Sequence, residues 1–255
     1  MGLIPKTTKT VLLSGLVFLA ACAPQGKFSS AIDGLTDEPM TEQEWIESEA
    51  PTDVQQKAAE MSQFSVPQLT VMEEARILAK YDYLDPKHEV PSELLEKAVV
   101  YYDTNYANVK NKNYIAVIDL KKKSTLNRFF IVNMKTGAVL ALRTAHGKGS
   151  DADHDGYAEK FSNKHGSGAS SLGYAMTAGT YNSKKFGYAL RMHGLSSTNS
   201  NFYARAVVIH GANYVKQAAV KQGRSLGCPA VDFDYRDQVV NNLKNGAVVY
   251  LGLSK

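Results

Sequence analysis

The sequence predicts a mainly β domain with a helical N-terminal extension. Three observations predict it. From residue 113 onward, short runs rich in β-branched and aromatic residues recur between turn signals, as successive half-buried strands require. Upstream, between 70 and 110, apolar residues recur at helical spacing among good helix formers. Before that, residues 23–65 are rich in Glu, Gln, Ser, Asp, Pro and Ala and poor in large apolar side chains, Trp45 excepted, so they read as a flexible tether. A chain of 255 residues fits one large domain with such appendages.

Residues 1–22 read as an export signal. Lys6 and Lys9 give a positive start, Val11 to Phe18 is a short apolar run, and Leu19-Ala20-Ala21-Cys22 follows. The run is far short of the roughly 20 residues that span a bilayer. Leu-Ala-Ala-Cys resembles a bacterial lipobox, in which the signal is cut before the cysteine and Cys22 is lipidated. The alternative is an ordinary secretory signal cut at nearby small residues. Ala23 after the cysteine resembles Gram-negative lipoproteins released to the outer membrane. The expected location is therefore the cell envelope, facing the periplasm and tied to the membrane through the lipidated N-terminus.

The helical extension covers 66–112. Met72 to Lys80 is one segment, which Pro86 ends. Pro91-Ser92-Glu93 opens a second that runs through Leu94, Leu95, Ala98, Val99 and Tyr102. The β domain occupies 113–255. Its strand candidates are 114–120, 128–133, 138–144, 174–181, 188–193, 206–210 and 247–253. Asp234 is a candidate cap for a helix over 235–243, ended by Asn245-Gly246. Gly-rich loops at 146–173 and 193–203 are long enough to carry function.

Two cysteines are present, and once the signal is processed Cys228 is the one thiol left in the folded domain. It stands in Gly223-Arg224-Ser225-Leu226-Gly227-Cys228-Pro229, downstream of Val207-Val208-Ile209-His210-Gly211. A cysteine nucleophile needs a base, a group that orients the base, and backbone N–H groups aimed at the developing oxyanion. His210 is the candidate base and the Gly211 carbonyl the group that fixes its tautomer. The amides of Gly227 and Cys228 are candidate oxyanion donors. Alone, a cysteine is more often a buried apolar residue, and a histidine at a strand end is more often structural. The spacing His-x14-Ser-x-Gly-Cys joins the two.

That spacing resembles the catalytic domain of the bacterial L,D-transpeptidases, in the murein branch, and the resemblance covers 113–253. Phe161-Ser162-Asn163, Ser170-Ser171-Leu172-Gly173, Tyr181 and Arg191-Met192-His193-Gly194 also carry it. The resemblance implies an L,D-transpeptidase β-sandwich of two mostly antiparallel sheets with short helices outside. It implies a cysteine thioester acyl-enzyme on peptidoglycan stem peptides, 3–3 crosslinking, inhibition by carbapenems, and no metal or organic cofactor. On the same scaffold an L,D-carboxypeptidase or stem hydrolase is the rival activity. A wall-binding lipoprotein without turnover is the rival of another class. Many members carry an arginine soon after the cysteine, where this chain has Pro229-Ala230-Val231. Arg224 or Arg191 are the candidates to replace it at the substrate carboxylate. Ser225 and His193 are further candidates for the substrate-binding side, His193 because it repeats the His-Gly strand end.

Weaker signals remain. Asp151-Ala152-Asp153-His154-Asp155-Gly156 looks like the start of a calcium loop, but position twelve is Ser162 rather than the bidentate Glu. An acidic surface turn is the plainer reading. His146, His154 and His165 share a loop without the spacing of a zinc site. The net charge of +4 lacks the dense basic stripe of a nucleic-acid binder and suits an anionic polymer or membrane surface. The oligomeric state is not written in the sequence.

Overall fold

Alternation along the strands explains how one sheet comes to be buried on both faces. In the computed structural model, which describes Gly2 and residues 41–255, strand β1 (Tyr114–Asp119) sends Ala116 and Ile118 into one core and Ile115 and Val117 into another. Strand β2 (Phe129–Asn133) does the same with Phe129 and Ile131 against Phe130 and Val132. Side chains two apart share a face, so apolar residues at every position build two cores. The export signal and Cys22 lie outside the described residues.

The other strands are β3 (Val139–Leu142), β4 (Gly173–Ser183), β5 (Gly187–Gly194), β6 (Val208–Gly211), β7 (Ala230–Val231) and β8 (Val248–Gly252). They hydrogen-bond in the order β3-β2-β1-β8-β4-β5-β6-β7. The pairs β1–β8 and β6–β7 are parallel and the rest antiparallel. The domain is mainly β, as expected. Instead of two separate sheets there is one continuous ladder, and one core draws side chains from both of its halves. A register shift between Thr177 and Thr180 in β4 marks a bulge, which bends a strand and tightens its twist.

Helix α3 (Val71–Leu78) begins in a capping box, Thr70 accepting from the Glu73 amide and Glu73 from the Thr70 amide. Helix α4 (Ser92–Thr104) lays Leu94, Ala98, Val99, Tyr101 and Tyr102 on the β1–β8 face. Helix α5 (Phe233–Leu243) is capped by Asp232, two residues before the expected Asp234. Asp234 instead supplies the first-turn amide that Asp232 receives. The polar stretch 23–65 holds two helices in its described part, α1 (Glu42–Ser48) and α2 (Val54–Met61), and α2 touches β5. Among the described residues no helix is long and apolar enough to cross a membrane.

Candidate active site

Because β6 and β7 run parallel, the segment that carries Cys228 comes alongside the strand that carries His210. Ala230 pairs with His210, so Cys228, two residues earlier, approaches the level of Val208. The sulfur lies 3.5 Å from the Val208 amide, which donates to it, and 4.0 Å from the Ala206 carbonyl. Cys228 is 2 % exposed and His210 is wholly buried. Parallel pairing over only two residues has no hydrophobic period to announce it, which is why β7 escapes a sequence reading.

The imidazole of His210 is fixed from two sides. Its Nδ1 lies 3.0 Å from the carbonyl of Gly211, and its ring lies against Phe186 with centroids 4.0 Å apart. A carbonyl only accepts, so Nδ1 carries the proton and Nε2 holds the lone pair. Nε2 is buried and has no hydrogen-bond partner among the described residues. Burial pushes the His210 pKa down to about 4, with the Gly211 bond opposing and Lys185 assisting. The group is a neutral, desolvated imidazole with its basic nitrogen unoccupied. Gly211 has no room for a side chain, since a Cβ there would meet the Phe233 ring at 2.7 Å.

The loop before Cys228 is held by its own backbone and by Ser225. Ser225 exchanges backbone bonds with His146 and Lys148 on either side of Gly147, and its Oγ donates to the Cys228 carbonyl at 2.7 Å. It is 1 % exposed. Its place is therefore inside the loop, shaping the turn, and not on the substrate side expected for it. Gly227 has φ +121°, and a Cβ would strike the Ala169 carbonyl at 2.7 Å. The Gly227 amide, expected to face an oxyanion, donates to Ser225 Oγ at 3.1 Å. Ser170 adds a brace, taking the Gly147 amide at 3.0 Å and donating to the Gly227 carbonyl at 3.4 Å.

Of the two arginine candidates, one reaches the site. Arg224 is turned to the backbone carbonyls of Asp151 and Ala152, on the acidic loop. Arg191 stands on β5 directly opposite Val208, the residue whose amide meets Cys228 Sγ. Its guanidinium lies over the Tyr181 ring at 4.1 Å, Nη2 donates to the Glu49 carbonyl at 2.9 Å, and the buried Nη1 has no hydrogen-bond partner among the described residues. His193, two residues along, stacks on Tyr203 with centroids 4.2 Å apart. Burial, helped by Lys57, pushes its pKa down to about 4. Arg191 and His193 line a cleft of about 930 Å³ together with Lys57, Phe64 and Tyr203.

Arg205 and Arg128 stand out only in the structure, Arg128 in a trio with His146 and Asp151. Arg205 donates to the carbonyls of Ser162 and Ala169 and to two serine hydroxyls, pinning the loop that Gly227 touches. Arg128 Nη2 is 2.8 Å from His146 Nδ1, and His146 Nε2 is 2.9 Å from Asp151 Oδ2. All three are buried. Both ring nitrogens of His146 are thus engaged, while His154 meets the Gln222 carbonyl. Asp151, Asp153 and Asp155 bring carboxylate oxygens within 4.8 Å of one another, and each accepts a loop amide. The calcium-like motif builds a self-bonded turn.

No curated protein matches the chain. Among solved structures it is similar to an L,D-transpeptidase from Mycobacterium smegmatis, at 15% identity and TM-score 0.34, over 55% of this chain and 58% of that one. It is similar to L,D-transpeptidase 1 of Mycobacterium tuberculosis at 14% identity and TM-score 0.31, over 55% and 61%. A third, from Xylanimonas cellulosilytica, gives 14% and 0.30, over 60% and 69%. The chain thus spans about three fifths of the first two of these enzymes. The family model for the L,D-transpeptidase catalytic domain matches residues 86–251, a span from before α4 to within β8. The chain belongs to the L,D-transpeptidase catalytic domain family.

Proposed function

We propose that this chain is a peptidoglycan L,D-transpeptidase that works through a Cys228 thioester. The observation that carries the reading is the His210 imidazole, held by Gly211 in the tautomer that leaves Nε2 basic, on the same strand whose Val208 amide meets the sulfur of Cys228. His210 takes the thiol proton, and the sulfur attacks the carbonyl of the L-centre of diaminopimelate at stem position three. The tetrahedral oxyanion meets the Cys228 amide, joined by that of Gly227 once it gives up Ser225. Collapse expels the terminal D-residue as an amine, which takes the proton from His210. An amine from a second stem then attacks the thioester, giving a 3–3 crosslink and restoring the thiol.

Arg191 is the proposed contact for a substrate carboxylate. A guanidinium with one buried donor unused favours a ligand that accepts two parallel bonds, as a carboxylate does. Cys22 is the proposed first residue of the mature, lipidated protein. Cys22→Ser should move the protein from the membrane to the soluble fraction, and a wild-type N-terminus beyond Cys22 would contradict this.

Incubation with purified tetrapeptide muropeptides, read by mass spectrometry, tests the activity. Crosslinked dimers support the transpeptidase. Stems trimmed without dimers would make it an L,D-carboxypeptidase, and unchanged stems would make it a binding protein.

A further inference from the structure

The linker between α1 and α2 runs over residues that touch the proposed catalytic pair. Its backbone and side chains are tied down at three places. The Glu49 carbonyl takes the bond from Arg191 Nη2 at 2.9 Å, the Glu49 carboxylate takes the Lys184 amide at 2.6 Å, and Asp53 accepts from the Tyr203 hydroxyl at 3.0 Å. Between these ties Ala50 packs against the pair Phe186 and Ala206, as Leu226 also does. Each of those three is next to the chemistry. Phe186 covers the His210 ring, the Ala206 carbonyl faces Cys228 Sγ, and Leu226 lies two residues before the cysteine. Ala50 therefore shares one small cluster with residues that touch His210 and Cys228, and those two are almost sealed from solvent.

From this arrangement we infer that residues 49–53 are an autoinhibitory strap, a segment of the chain's own N-terminal arm that covers the approach to the proposed catalytic pair and must lift before a stem peptide reaches Cys228. The inference rests on the transpeptidase reading for what the strap keeps out, but not for the strap itself. Two features fit an occupant that can be displaced. The strap offers Arg191 a neutral carbonyl and leaves Nη1 without a partner, so an incoming carboxylate makes the stronger, charge-assisted pair. Apart from Ala50, its ties are hydrogen bonds at half-buried or exposed positions, each of modest net worth. Because the strap lies in the arm that leads back towards Cys22, the part of the chain expected to reach the membrane is also the part that closes the site.

The test compares the full chain with the same chain carrying Glu49→Ala and Asp53→Ala, both in a Cys22→Ser background so that Cys228 is the one thiol. Labelling of Cys228 by iodoacetamide is followed by mass spectrometry, with amide hydrogen exchange and muropeptide turnover measured alongside. Loss of two hydrogen bonds should raise the labelling rate about tenfold, with amide protection in β5 and β6 retained. An unchanged labelling rate overturns the strap, as does a rise that comes only with loss of protection across β5 and β6. The two readings separate cleanly. Faster labelling without turnover in either protein would keep the strap and sink the transpeptidase, whereas turnover with equal labelling would do the reverse.

Discussion

His210 owes its chemistry to where it is buried. A histidine in water has a pKa of 6.5 and would be partly charged at mildly acidic pH; burial lowers it to about 4. The neutral, basic form is therefore kept as pH falls, until the pH passes through the lowered value. The acid limb of kcat/KM on a tetrapeptide stem should lie nearer pH 4 than 6.5, and a limb centred at 6.5 would contradict the assignment. His210→Ala should lower turnover by about 10²- to 10⁴-fold, the usual worth of a general base. It should also slow alkylation of Cys228 near neutral pH. Gly227 makes a second residue-scale prediction. With φ +121° and the Ala169 carbonyl in the way, Gly227→Ala should cost about 1–3 kcal/mol in a urea melt. The bond between His210 Nδ1 and the Gly211 carbonyl was legible in the sequence, because the two are neighbours in one motif, while the turn of the Gly227 amide towards Ser225 Oγ was not. The contacts of Arg191, Ser225 and Arg224 were not, because which long or polar side chain turns inward depends on the closing of distant loops.

At the scale of elements, period and length decided what could be read. Strands β1, β2 and β5 carry unbroken β-rich runs, and their positions followed from the pattern. Helices α3 and α4 followed from apolar spacing and from Pro91 opening the turn before Ser92. Helices α1 and α2 did not, since their sequences are polar and α2 has no buried residue. Strand β7 is two residues long and exists through its partner. The continuity of the ladder rests on the β1–β8 pairing, which joins the start of the domain to its last strand and leaves no local trace. Helix α4 is integral to the catalytic fold. Leu94 is 1 % exposed in the core between α4 and the sheet, and Leu94→Ala should cost about 2–5 kcal/mol by urea denaturation. A loss below about 0.5 kcal/mol, typical of a surface change, would mean that α4 is only an attachment.

Over the whole molecule, three buried histidines link the fold to pH. His146, His193 and His210 all have pKa values pushed down to about 4 by burial, with Arg128 adding to the effect at His146 and Lys57 at His193. Between 6.5 and about 4 the unfolded chain binds protons at these positions that the native chain does not. Stability therefore rises with pH through that window and falls as pH drops. Urea midpoints should decrease from pH 7.5 to pH 5, and substituting His146 with Gln should flatten the decrease. A midpoint that is constant or higher at pH 5 would contradict the burial of these groups as neutral imidazoles.

The central claim is that Cys228 carries the acyl group, and the mass of the intact protein tests it most directly. After mixing with a tetrapeptide stem and rapid acid quench, the wild-type chain should gain the mass of the stem less its terminal D-residue, mapped to Cys228. Cys228→Ala should show neither the adduct nor turnover, while Cys22→Ser should show both. Normal muropeptide turnover by Cys228→Ala, or an acyl group mapped to any other residue, would contradict the account.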